Sequence, residues 1–132
     1  MSFVVDTDIC SAYLKGDGRV FNRFIQRSGA IHISILTVAE LYSWVYVARE
    51  PARREAGLLE MLSDLKVLPV SGSEARRFGE VRAELARDGK RVATVDLLIA
   101  VTALVHDFTV ITHNRRHFGL VPGLRVEDWL TS

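Results

Sequence analysis

The sequence predicts an α/β fold built on a mostly parallel central sheet of four or five strands. Three observations carry that reading. Short apolar runs alternate with longer stretches patterned at helical spacing. Prolines 51, 69 and 122 and several glycines fall between these runs, where elements should break. Finally, Val95 to Val105 is apolar almost all round, interrupted by Asp96 and Thr102, as a helix enclosed by the fold would be. Strands that alternate with helices in this way belong to a parallel sheet.

Each element follows from its own pattern. Phe3-Val4-Val5 reads as a buried strand, because a continuous apolar run suits a strand covered on both faces. Thr7 to Leu14 fits a short helix closed by Gly16, and Asp8 reads as its cap. Val20, Phe21, Phe24 and Ile25 form one helical stripe that ends at Gly29. Ile31 to Ile35 alternates as a second strand. Thr37 to Ala48 follows as a helix, and Pro51 starts another, with Leu58, Leu62 and Leu65 on one face. Val67 to Val70 is a third strand. Phe78, Val81 and Leu85 mark an amphipathic helix ending near Gly89. Thr109 to Thr112 is a fourth strand after the buried helix, and Leu124 to Val126 a short fifth.

Composition narrows the function. The chain has 132 residues, which suits one domain over 1–132. At 48% hydrophobic and 25% charged residues it is neither disordered nor built to span a membrane. Lys+Arg 17 against Asp+Glu 16 leaves a net charge of +1, so any grip on nucleic acid must be local. One cysteine, Cys10, excludes a disulfide framework and a cysteine zinc site within the chain. No secretory signal precedes Phe3, and no apolar run reaches the roughly 18 residues of a membrane span, so the expected address is the cytoplasm.

In parallel sheets, ligands bind outside the carboxyl ends of the strands. Asp6 follows the first strand. Glu40 follows the second, within Thr37-Val38-Ala39-Glu40-Leu41. Asp96 opens the buried helix, and Thr112-His113-Asn114 follows the fourth strand. Each has an ordinary structural reading: a cap for Asp6 or Asp8, a Thr-x-x-Glu capping box for Thr37 and Glu40, a helix-dipole partner for Asp96, a turn for Asn114. Together they gather carboxylates at one end of the sheet. Unpaired carboxylates repel and cost several kcal/mol to bury. A divalent cation resolves that conflict, and oxygen ligands select Mg²⁺ or Mn²⁺. A cation held this way suits phosphodiester hydrolysis.

These motifs, in this order, together with Thr112-x-Asn114-x-x-x-Phe118 and the closing Val121 to Trp129 segment, resemble the PIN-domain ribonucleases, and among them the VapC toxins of bacterial toxin–antitoxin modules. The resemblance covers essentially the whole chain. It implies a PIN-like three-layer α/β/α sandwich and a Mg²⁺- or Mn²⁺-dependent endoribonuclease that cuts structured or single-stranded RNA, with tRNA among the known targets. It also implies a cognate antitoxin and a homodimer. Asp6, Glu40 and Asp96 match the family's acidic positions, with Asp6 and Asp96 as metal ligands. Asn114 falls where many members carry a fourth acid. His117 stands where similar sequences often carry Glu.

Around this site, Lys90 and Arg91 precede Asp96, while Arg115 and Arg116 follow Asn114; with Thr112, these are the candidate substrate contacts. Tyr42, Trp44, Val45 and Tyr46 give an aromatic helix surface, a candidate interface with a second copy or an antitoxin helix. Two other readings compete. One is a non-catalytic PIN-like binding module, against which the retained acids argue. The other is a haloacid-dehalogenase-type phosphatase, suggested by Val4-Val5-Asp6-Thr7-Asp8 but lacking a later acidic pair and any cap domain.

Overall fold

In the computed structural model, which describes residues 1–131, strands and helices alternate as β1 Phe3–Val5, α1 Thr7–Leu14, α2 Gly18–Gln26, β2 Ile31–Ser34, α3 Ile35–Tyr46, α4 Pro51–Leu62, β3 Lys66–Leu68, α5 Gly72–Arg87, α6 Thr94–His106, β4 Thr109–Ile111, α7 Arg115–Phe118 and β5 Val126–Glu127. The strands form one sheet in the order β3-β2-β1-β4-β5, and every pairing is parallel. Building outward from β1 to β3 and then crossing to β4 puts a topological switch point between β1 and β4. That is where open α/β sheets bind ligands.

Alternation along β1 splits the core into two layers. Phe3 and Val5 pack with Ile9, Phe24, Ile33, Leu41 and Leu58, under α1 to α4. Val4 packs the other way with Val81, Leu85, Ile99 and Val110, under α5 and α6. The three-layer sandwich follows directly. Among the described residues no helix is long and apolar enough to cross a membrane.

Four boundaries differ from the sequence reading, each for a local reason. Asp6, not Asp8, caps α1: Asp6 Oδ1 accepts from the Ile9 N–H at 3.1 Å, and Asp8 is an exposed first-turn residue. Ser34 caps α3 by accepting from Leu36 N–H at 3.1 Å. The helix therefore begins at Ile35, and Thr37 and Glu40 are not a capping box. β3 is an exposed edge strand at Lys66–Leu68, where Lys66 discourages further pairing, rather than a strand at 67–70. The segment after β4, read as a turn, forms the one-turn helix α7, anchored by the buried Phe118.

Candidate active site

Asp6, Thr7, Asp8, Glu40, Asp96, Asn114 and Phe118 line one cleft of about 290 Å³ at the carboxyl ends of β1, β2 and β4. Asp6 stands directly at the switch point. Its backbone N–H donates to Ile111 O at 3.0 Å, which ties β1 to β4 one residue beyond their pairing. The side chain is 5% exposed, and Thr112 Oγ1 donates to Asp6 Oδ2. The same hydroxyl accepts from the Asn114 N–H at 3.0 Å. One threonine thus links the carboxylate after β1 to the loop after β4.

Burial pushes the Asp6 carboxyl from 3.8 up to about 7, against the lowering effects of Thr112 and Ile9; the charges of Asp8 and Asp96 add smaller upward pushes. Desolvation, and not mutual repulsion, is therefore the main strain in the cluster. The other acids are individually tethered. Thr7 Oγ1 donates to Glu40 Oε1 at 2.7 Å. His117 Nε2 lies 3.2 Å from Asp96 Oδ2 in a partly exposed pair. The Asn114 carboxamide is not spent on capping α7.

Asp6, Glu40, Asp96 and Asn114 therefore meet as the sequence suggests. They do not close into a ready-made coordination shell: among the described residues, no three acid, histidine or cysteine side chains stand together as an ion-holding group. One further reading needs correction, and the two basic pairs stand outside the cleft wall. Thr112 is fully buried and committed to Asp6 and Asn114, so it positions the site and cannot contact substrate. Lys90 and Arg91 line a different cavity, beside the start of α6. Arg115 and Arg116 are exposed on α7 and not part of the cleft wall. The roles of Thr7 and His117 escaped the sequence reading. Thr7 gives no signal beyond adjacency to Asp6, and the His117 contact depends on α7 forming at all.

A buried carboxylate at the switch point of a parallel sheet, facing acids from two other helices, defines an α/β protein with a strand-end acidic site. The PIN domain family matches residues 3–123, and the chain belongs to that family. It is 35% identical to the tRNA(fMet)-specific endonuclease VapC of Shigella flexneri, over 98% of each chain. It is 32% identical to Ribonuclease VapC2 of Haemophilus influenzae, over 98% of this chain and 99% of that one. Among solved structures, DNA-bound VapBC from Salmonella typhimurium superimposes with a TM-score of 0.93 at 34% identity, covering 98% of both chains. Family membership sets aside the phosphatase alternative.

Proposed function

We propose that this protein is a metal-dependent endoribonuclease and the toxin of a toxin–antitoxin module, acting in the cytoplasm. The observation that carries the reading is the convergence of Asp6, Glu40 and Asp96, from three elements, on one cleft at the switch point. The printed names of the relatives, ribonuclease and tRNA endonuclease, supply the substrate class, and the VapBC structure supplies the antitoxin partner.

The donor set fits Mg²⁺ or Mn²⁺. It is all oxygen, and Asp6 has lost the hydration that a cation would replace. Asp6 and Asp96 would hold the ion, with Glu40 and the Asn114 amide oxygen beside them. A divalent cation supplies charge for the phosphate oxygens and acidifies a water. The protein's own groups do the positioning. Thr112 fixes the Asp6 rotamer, and His117 fixes Asp96. Thr7 occupies Glu40 Oε1 and leaves Oε2 to accept a proton from the attacking water. Arg115 and Arg116 are free to meet flanking phosphates. The exposed Tyr46 and Val47, next to Trp44 under the Arg54 guanidinium, offer a surface for the antitoxin or a second copy.

Cleavage of RNA with Mn²⁺ and with EDTA tests this directly. The expected result is metal-dependent cleavage leaving 5′-phosphate and 3′-hydroxyl ends, abolished in Asp6→Asn. Cleavage that persists in EDTA, or 2′,3′-cyclic phosphate ends, would overturn it, since the latter make the RNA's own hydroxyl the nucleophile.

A further inference from the structure

Building on the ribonuclease reading, we propose that the cavity between the end of α5 and the start of α6 is a phosphate-binding subsite that anchors the RNA backbone beside the acidic cleft. The need for such an anchor is electrostatic. The cleft presents Asp6, Asp8, Glu40 and Asp96 to a polyanion, and a net charge of +1 supplies no bulk attraction. Whatever holds the strand must be a local concentration of positive charge.

The cavity has that character. It encloses about 250 Å³, and Arg82, Lys90 and Arg91 stand in its wall with Thr94 and no acidic residue. None of the three cations is in an ion pair among the described residues, whereas Arg19 is paired with Asp17 and Arg125 with Asp107. Arg82 is also held in place. Its Nη2 donates to Val92 O and to Thr94 Oγ1, both at 3.3 Å, and its guanidinium lies 4.8 Å from the centre of the Phe78 ring. Both hydrogen bonds use one nitrogen, so Nε and Nη1 keep their protons for a ligand. Nε and Nη1 lie on different edges of the guanidinium, so each can give one charge-assisted hydrogen bond to a phosphate oxygen from a side chain already held in place. Lys90 and Arg91, on the exposed loop, add charge that adapts to it.

The position fits a strand crossing the cleft. Thr94 in the cavity and Asp96 in the cleft both belong to the first turn of α6. Two residues apart, they differ by about 200° around the helix, so cavity and cleft flank the first turn of α6 on opposite sides, about one helix diameter, ~10 Å, apart. A stacked strand, with ~3.4 Å per nucleotide, covers that distance in about three nucleotides. The subsite would therefore grip a phosphate a few nucleotides from the bond being cut.

The test is binding of a labelled single-stranded RNA in EDTA over a salt series, with cleavage in Mn²⁺ measured in parallel. The variants are Arg82→Met, Arg82→Lys, Lys90→Met and Arg91→Met. Arg49→Met, on the exposed α3–α4 connection, is a control of equal charge change. Each cavity Met variant is expected to reduce the slope of log K against log salt by roughly 0.7, one phosphate contact on a single strand. Arg82→Lys should keep most of the slope but weaken binding, and Arg49→Met should change neither. In the cleavage assay the cavity variants should raise KM. The subsite is overturned if the wild type binds no RNA, if the cavity slopes equal the wild type's, or if Arg49→Met lowers the slope equally. It is also overturned if the variants lose binding to polyglutamate but not to RNA, which would make the cavity a dock for an acidic peptide. Wild-type cleavage with unaltered variant slopes removes the subsite and leaves the ribonuclease. RNA binding with the expected slopes but no cleavage does the reverse.

Discussion

Asp6 carries the largest unfavourable term in the site. Its raised pKa, about 7 against 3.8, means that ionising it in the fold costs about 4 kcal/mol more than in the unfolded chain, at ~1.36 kcal/mol per unit. Asp6→Asn removes that cost but loses the hydroxyl bond from Thr112, worth about 1 kcal/mol. In EDTA at pH 8 the variant should therefore be more stable than wild type by roughly 1–3 kcal/mol, while cleavage disappears; chemical denaturation checks it. Asp96→Asn should show no such gain, because Asp96 is partly exposed and its pairing with His117 is screened by solvent. Thr112 is the converse case. Thr112→Val removes the hydroxyl partner of both Asp6 Oδ2 and the Asn114 N–H, and leaving the buried Asp6 oxygen unsatisfied costs about 1–3 kcal/mol. Destabilisation with lost activity is expected, and Thr112→Ser should restore most of both. If Val is tolerated, the hydroxyl does not hold the site.

At the scale of elements, the sequence shows what pattern and chemistry repeat, and hides what only packing decides. β1, α1, α2 and α6 are legible because apolar periodicity and glycine stops agree there. Asp6, Glu40, Asp96 and Asn114 are legible as a group because each follows a strand or opens a helix. The start of α3 is not. Ser34 and Thr37 are both acceptable caps, and the second fits a capping box with Glu40; only pairing of β2 with β3 through Ser34 decides between them. α7 was hidden because four residues leave no periodicity to read. Thr37 now provides a direct check on the helix start. Its hydroxyl is buried with no hydrogen-bond partner, whereas Ser34 accepts from Leu36. Ser34→Ala should cost about 1 kcal/mol. Thr37→Val should be neutral or stabilising, since it removes an unsatisfied buried oxygen without changing shape. The capping-box reading requires the opposite order in thermal melts.

Across the whole molecule, two buried groups, one at the end of β1 and one within β2, set the response to pH in opposite senses. The Asp6 pKa is raised on folding, so its contribution is fully present below the unfolded value near 3.8 and is lost as pH rises through about 7. His32, in β2 against Phe108, is 7% exposed, and burial lowers its pKa from 6.5 despite the Phe3 carbonyl 3.3 Å from Nδ1. Its contribution is present at high pH and is lost as pH falls below 6.5. From pH 8 to pH 6, Asp6 should add about 1.4 kcal/mol and His32 should remove at most about 0.8 kcal/mol. In EDTA, wild type should therefore be slightly more stable at pH 6 than at pH 8, and Asp6→Asn less stable at pH 6 than at pH 8. The gap between the two proteins should narrow by about 1.4 kcal/mol across that range. Urea melts of both proteins at the two pH values measure it without reference to activity. An identical pH response in the two would mean that Asp6 titrates like a solvated carboxylate and that the cleft is wetter than its geometry shows. The predicted response ties the fold to the proposed chemistry: the switch point of the sheet holds a carboxylate that is costly to ionise alone, and a cation bound there would favour its charged form at neutral pH.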